Sequence, residues 1–409
     1  MDDNQSASTG WKTKEDIATL KRWKGQSPGF CFFRAGLYLA FFAASLVVTI
    51  AHAEKFDNDP DVPDFIDLSA NPQYQSLVRE GGHNGNNEID FIGLITLRQG
   101  NGMAGDTRIG WWWLHNMTFS GTSTSELAQR GGLLWDFNDG DAPDPEDALG
   151  VFTLLQTLFE DRMELQLGKL YPGNNFAASD YWGDDRATYM STMLSSDVVG
   201  RWFNNIGLGA QAGWFGEGWF VQGAVVDAQS QEAYFDFSSL GKGRFLWIAE
   251  LGWTPDRGGT ETKLSITPYI IDRTAALTRE TGYVATFVHE WSDLALYGRY
   301  TWRDGGKGRA SDDVLEALPV KRGGFLGLAW NRPFNRTTDQ LAFAIMQGTP
   351  SDQRRTDGFD SQAGVEIYWA IQPKPWFIVT PDLQWVKNKD GKMETIFGLR
   401  LKLRAFYQP

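Results

Sequence analysis

The feature that most constrains this chain is a two-residue alternation of apolar and polar side chains, recurring from Glu88 almost to the C-terminus. Between Glu88 and Arg98, Ile89, Phe91, Ile95 and Leu97 share one parity, while Glu88, Asp90, Thr96 and Arg98 share the other. Successive side chains of a strand point to opposite faces, so this is the pattern of a strand with one apolar and one polar face. Leu264, Ile266, Pro268 and Ile270 alternate in the same way with Lys263, Ser265 and Thr267. Phe377, Val379, Leu383 and Trp385 oppose Thr380, Asp382 and Gln384, and Phe397, Leu399, Leu401 and Leu403 alternate with Arg400, Lys402 and Arg404. Turn-forming clusters such as Gly216-Glu217-Gly218 and Asp304-Gly305-Gly306 separate the runs. Residues 148–160 can be read as a helix, but the alternating Met163, Leu165 and Leu167 that follow favour a hairpin turning at Glu160-Asp161. The runs from Glu88 to Phe406 amount to about 16 strands, an even number within the range of outer-membrane barrels.

Alternating strands fit a soluble sandwich or propeller, or a transmembrane barrel. Trp253, Trp291, Trp302, Trp330, Trp369 and Trp385 lie at or near strand ends. Barrels place aromatic girdles there, at the two membrane interfaces, whereas a soluble core buries Trp wherever space allows. Closure also removes the free edges that so many strands would otherwise leave. The expected fold is therefore an all-β, transmembrane antiparallel barrel of about 16 strands with long loops. Other classes fall on composition. With 27 Phe, 18 Trp and 12 Tyr the chain has ample material for burial, which excludes disorder. A net charge of −13 argues against a nucleic-acid partner. Helical membrane proteins need repeated apolar runs of roughly 20 residues, and only one comparable run occurs, near the N-terminus.

That run, Ala35 to Ile50, follows Lys21, Arg22, Lys24 and Arg34 and precedes Ala51-His52-Ala53. The order of basic region, apolar core and small-residue cleavage site is that of an export signal, so residues 1–53 are expected to be a signal peptide. The single cysteine, Cys31, lies within it. Residues 54–87, rich in Asp, Asn, Pro and Gly, show no sustained period and are expected to form a short irregular N-terminal segment, with the barrel occupying 88–409.

Parity nominates the lumen. The inward set includes Arg108, Trp112, Gln211, Gln222, Glu250, Tyr297, Arg299, Glu366, Tyr368, Asp382, Gln384 and Arg400. Arg, Gln, Asp and Glu can bond sugar hydroxyls and a Trp or Tyr ring can stack on a sugar's C–H face, so the mixture suits a neutral, hydroxylated solute. Such side chains also brace barrel walls, and Glu366, Asp382, Gln384 and Arg400 lie on three consecutive strands where they could do so. The long stretch from Leu170 to Val198, with Tyr181, Trp182, Arg186 and Tyr189, is expected to fold into the barrel and narrow it, since 16 strands otherwise enclose an open channel. Enzymatic chemistry is not expected: outside the leader only His83, His115 and His289 occur, widely spaced and without a nucleophile motif. No cofactor and no metal are expected. Residues 136–147, with five Asp and one Glu, read as a solvated loop, with calcium binding as the alternative.

The segments ELQLGK at 164–169 and FAASDYW at 176–182 resemble a strand end and following loop of the OprB-type carbohydrate-selective porins. EIYW at 366–369, VTPDLQWVKN at 379–388 and FGLRLKL at 397–403 resemble that family's closing hairpins, and TPDLQ is the most specific piece. The resemblance implies a 16-stranded channel in the outer membrane of a Gram-negative bacterium, surrounded by outer-membrane lipid and passing mono- or oligosaccharides by diffusion. It adds Lys169, at the Gly-Lys strand end, to the candidate lining. A general or anion-tuned diffusion pore and a secreted glycan-binding β-protein are the alternatives, and a homotrimer is left open as the assembly.

Overall fold

The computed structural model describes residues 64–138, 147–184, 186–229, 234–255, 262–274, 277–307 and 318–408. The expected signal peptide and most of the acidic stretch at 136–147 lie outside them. Sixteen antiparallel strands form one closed barrel in chain order. They are β1 (Phe65–Leu77), β2 (His83–Arg98), β3 (Ala104–Gly121), β4 (Asp147–Leu158), β5 (Met163–Leu170), β6 (Gly207–Gly216), β7 (Trp219–Asp227) and β8 (Phe245–Trp253). The ring continues with β9 (Thr262–Ile271), β10 (Glu280–Trp291), β11 (Leu294–Gly305), β12 (Val320–Asn331), β13 (Gln340–Pro350), β14 (Gln362–Lys374), β15 (Phe377–Lys387) and β16 (Met393–Tyr407). It closes where β1 pairs with β16, from Ile66 opposite Tyr407 to Leu77 opposite Ile396.

One boundary differs from expectation. β1 and the start of β2 occupy residues read as irregular, so the barrel begins at Phe65. The alternation is present there, with Ile66, Leu68, Ala70 and Tyr74 outside and Asp67, Ser69, Asn71, Gln73 and Gln75 buried inside. Pro72 obscures it, because proline removes a ladder donor. The structure tolerates it where the pairing of β1 to β16 skips from Ala70 to Gln73. The hairpin at 159–162 is as expected, with Phe159, Glu160 and Asp161 all at positive φ.

Two rims follow from connection length. At one rim, strands join through tight turns such as Glu217-Gly218 and Ser292-Asp293. At the other, long connections follow β3, β5, β7 and β11. In outer-membrane barrels the short turns face the periplasm and the long loops face outward. Aromatic side chains ring the outer wall near each rim. Trp219, Trp253, Trp291 and Trp330 lie exposed beside the short turns, while Trp247 and Tyr283 lie exposed toward the long loops with Trp302 half-buried beside them. Leu251, Ile266, Leu326, Leu328, Phe343 and Ile345 fill the exposed band between. No helix among the described residues is long and apolar enough to cross a membrane; the apolar strand faces take that place.

Candidate functional site

The lumen is occupied by two loops. The first connects β3 to β4 and contains a helix, Thr124–Gly131. Ser123 caps its N-terminus by accepting from the Glu126 amide, and Gly132 ends it in the left-handed conformation at φ 66°. Leu127, Leu133, Leu134, Trp135 and Phe137 from this loop share a buried apolar cluster with wall residues of β12–β16. Its backbone is held by glutamines: Gln75 and Gln384 donate to the Phe137 carbonyl at 2.9 and 3.0 Å, and Gln362 donates to Gly132 at 2.8 Å.

The second loop, between β5 and β6, runs through the same cluster with Tyr181, Trp182, Tyr189, Met193 and Leu194. The two loops are joined, because Thr192 donates through both its amide and its hydroxyl to the Asp136 carbonyl at 3.0 and 2.7 Å. The wall is cut back to receive them. A Cβ on Gly323 would stand 2.4 Å from Met193 Cε, and one on Gly348 would stand 3.0 Å from the Trp135 ring. The expected inward folding of this loop is therefore what the structure has.

Many of the residues nominated as lining turn out to anchor this loop. Glu366 accepts from the Met190 amide at 2.6 Å and from the Ser191 amide at 3.2 Å. Arg400 donates to the Thr188 carbonyl at 2.8 Å, and Arg299 donates to the carbonyls of Met193 and Ser196. Arg299 also lies over the Phe325 ring, which meets Trp182 edge-on at 5.6 Å. Tyr368 packs edge-on against Tyr189 at 4.8 Å, and Tyr181 stacks on Tyr297 at 4.8 Å while donating to Glu290. Gln384 joins Asp382 at 3.0 Å beneath the first loop. Tyr189 hydrogen-bonds Tyr297; burial, reinforced by Tyr297 and Tyr368, pushes its phenol well above the ordinary value and keeps it protonated.

Arg186 does something different. Its guanidinium bonds Glu88 at 3.0 Å, Asp90 at 2.9 Å and Asp184 at 3.0 Å, and lies 5.0 Å from the centre of the Trp112 ring. Trp112 donates to Asp90 at 2.8 Å and stacks on Tyr171 at 5.5 Å. Burial raises the Asp184 carboxyl, but Arg186 and Lys402 outweigh it and hold the group well below the usual carboxylate range. Around this junction stand Lys402 and the pair Asp67 and Arg404 at 2.8 Å. Arg108, four residues before Trp112 on the same face of β3, pairs with Asp106 at 3.3 Å.

Lys169 is the exception among the nominated residues. It pairs with Phe152 and Leu208, so it shares their outward face and does not line the lumen. It is nevertheless only 1% exposed, because the β7–β8 loop folds over the outer wall. There Tyr234 accepts from the Lys169 ammonium at 2.8 Å and Phe235 meets Phe152 edge-on. Lys169 shares the parity of Leu165 and Leu167, and that alternation, not the resemblance, agrees with its outward face. Asp67, Asn71 and Gln73 of β1 were missed because their segment read as irregular, although their own alternation was the available signal.

Residues 288–404 match the family model described as carbohydrate-selective porin, OprB family. The fold is similar to the high-pH structure of Pseudomonas putida OprB, with a TM-score of 0.68 at 12% identity over 84% of this chain and 94% of that one. That likeness shows a shared barrel fold. The low-pH structure of the same protein aligns at a TM-score of 0.51, also at 12% identity, over 84% of this chain and 93% of that one. No curated protein matches this chain in a sequence search. Arg299, Glu366, Asp382 and Arg400, which hold the second loop or pack beside its anchors, all fall within the matched segment. The family match over residues 288–404 and the porin-like barrel support an outer-membrane channel for carbohydrate diffusion.

Proposed function

We propose that solute passes the open side of the lumen between the docked β5–β6 loop and β1–β3, and that the Arg186 junction is where a mono- or oligosaccharide is recognised. The observation that carries this reading is the coincidence, at one narrowed point, of a cation, carboxylates and a stacked aromatic pair. Sugar hydroxyls donate and accept, so Arg186 and Asp184 can serve them together. The half-buried Tyr171 ring, backed by Trp112, offers an apolar surface to the C–H side of a pyranose. An anion channel would gain nothing from Glu88, Asp90 and Asp184, which repel its solute; the balance of signs favours a neutral one.

Planar-bilayer conductance with and without a panel of sugars tests the reading, together with liposome swelling. Sugars are expected to block ion current reversibly and to permeate faster than amino acids of similar size. Equal permeation of the two classes overturns sugar selectivity and leaves a general diffusion pore. The same recordings on Arg186→Ala locate the site: unchanged sugar block in that variant removes the junction from the pathway.

A further inference from the structure

The outer wall carries a charged feature that the lumen does not explain. At the start of β12, on the long-loop rim, the register against β13 slips: Val320 pairs with Pro350 and Arg322 with Thr349, leaving Lys321 as the extra residue. Strict alternation would put Val320 and Arg322 on one face. The bulge separates them, so that Val320 is buried inward while Arg322 is exposed outward between Trp302 of β11 and Thr349 of β13. The short helix Asp352–Thr356, capped by Ser351, follows β13 and brings Asp352 and Arg355 to the same place. Trp302, Lys321, Arg322, Thr349, Asp352 and Arg355 line one surface pocket.

Three cations and one carboxylate thus line it among the described residues, and the carboxylate is already engaged by Lys307 at 2.8 Å and Lys321 at 3.4 Å. Those contacts, the Lys307 hydrogen bond first, hold Asp352 below its ordinary value. Neither Arg322 nor Arg355 has a carboxylate partner among the described residues; Arg322 reaches only the Thr349 hydroxyl, at 3.4 Å. Directly beneath, Trp302 stacks on Tyr283 at 5.8 Å within the aromatic girdle. Aromatic belts mark the headgroup level of a bilayer, and basic pockets at that level bind anionic headgroups. Arginine matches phosphate with a planar, two-pronged donor set.

We propose that this pocket binds the phosphorylated headgroup of an outer-leaflet lipid. Arg322 and Arg355 bond the phosphate oxygens, Lys321 stands beside them, and Trp302 meets the boundary between headgroup and acyl chain. The inference rests on the outer-membrane placement and is independent of sugar selectivity.

Native mass spectrometry of the full-length protein released from detergent tests it, with bisphosphorylated lipid A as the probe and its dephosphorylated form and inorganic phosphate as controls. The phosphorylated lipid is expected to be retained in preference to the dephosphorylated one. In Arg322→Gln/Arg355→Gln its affinity is expected to fall roughly tenfold or more, as for two headgroup cations removed together. Single-channel conductance of that variant stays unchanged, because both residues lie outside the lumen. Equal retention of the two lipids, or undiminished binding by the variant, overturns the pocket while leaving the membrane placement intact. Displacement of the lipid by inorganic phosphate at equal concentration also overturns it, in favour of a soluble-anion site. Should the double variant fail to fold, judged by loss of heat-modifiable migration, Arg322→Gln alone carries the same comparison.

Discussion

Arg299, Glu366 and Arg400 of β11, β14 and β16 end on loop backbone, whereas Glu88, Asp90 and Trp112 of β2 and β3 end on Arg186 or on one another. Arg400 and Glu366 are as inward-facing as Asp90, yet they hold the Thr188 carbonyl and the Met190 amide, while Asp90 joins the side chains of Arg186 and Trp112. The face of a barrel strand thus says where a side chain points but not what it serves. What it serves is decided by what faces it: loop backbone for Glu366 and Arg400, and the Arg186 side chain for Glu88 and Asp90.

Removing the loop breaks this contrast most completely. Deleting residues 174–186 takes away Arg186 along with the segment that carries Trp182, and single-channel conductance should rise several-fold. Unchanged conductance and sugar selectivity would show that the loop is not the constriction. Glu366→Ala attacks the anchored side alone. The buried amides of Met190 and Ser191 lose their acceptor, at about 1–3 kcal/mol for each orphaned group, so the loop should become sensitive to limited proteolysis and the current noisier. Arg186→Ala attacks the open side alone. Loss of charge-assisted bonds worth roughly 1.5–3 kcal/mol should weaken sugar block by about tenfold to a hundredfold and tilt ion selectivity toward cations, with the proteolysis pattern unchanged. If both variants give the same phenotype, the division of the lumen into two halves is wrong.

The smallest effect concerns pH. Asp184 has a folded pKa below its unfolded one, so its stabilising contribution is present above the ordinary carboxylate range and is lost only as pH falls through the lowered value. Asp184→Asn should therefore alter ion selectivity by the same amount at pH 7 and pH 5. A change that shrinks between those two values would show that Arg186 and Lys402 do not hold the carboxylate ionised.

The strands were legible in the sequence because lipid outside and water inside force opposite chemistry onto alternate residues, as in Leu399, Arg400, Leu401 and Lys402. β1 obeys the same rule but carries Pro72 and few β-branched residues, so its weaker pattern was lost among turn formers. For Glu366 and Arg400 the face was legible and the role was not, because their partners lie 176 and 212 residues away on a loop whose path no local period records. The β3–β4 loop gave no warning of its inward course for the same reason. Its Leu127, Trp135 and Phe137 make an apolar surface only once the helix and the turn after it have formed.

The seam between β1 and β16 bears on how the channel is built. Arg400, which grips the β5–β6 loop, stands opposite Gln73 in that seam. The loop is contributed early in the chain and its grip comes from the last strand, so the constriction is complete only in a closed ring. Because Arg186 also ties the loop to Glu88 and Asp90 of β2, the loop bridges the β1–β16 seam, and a barrel left open there holds its inward loop from one side only.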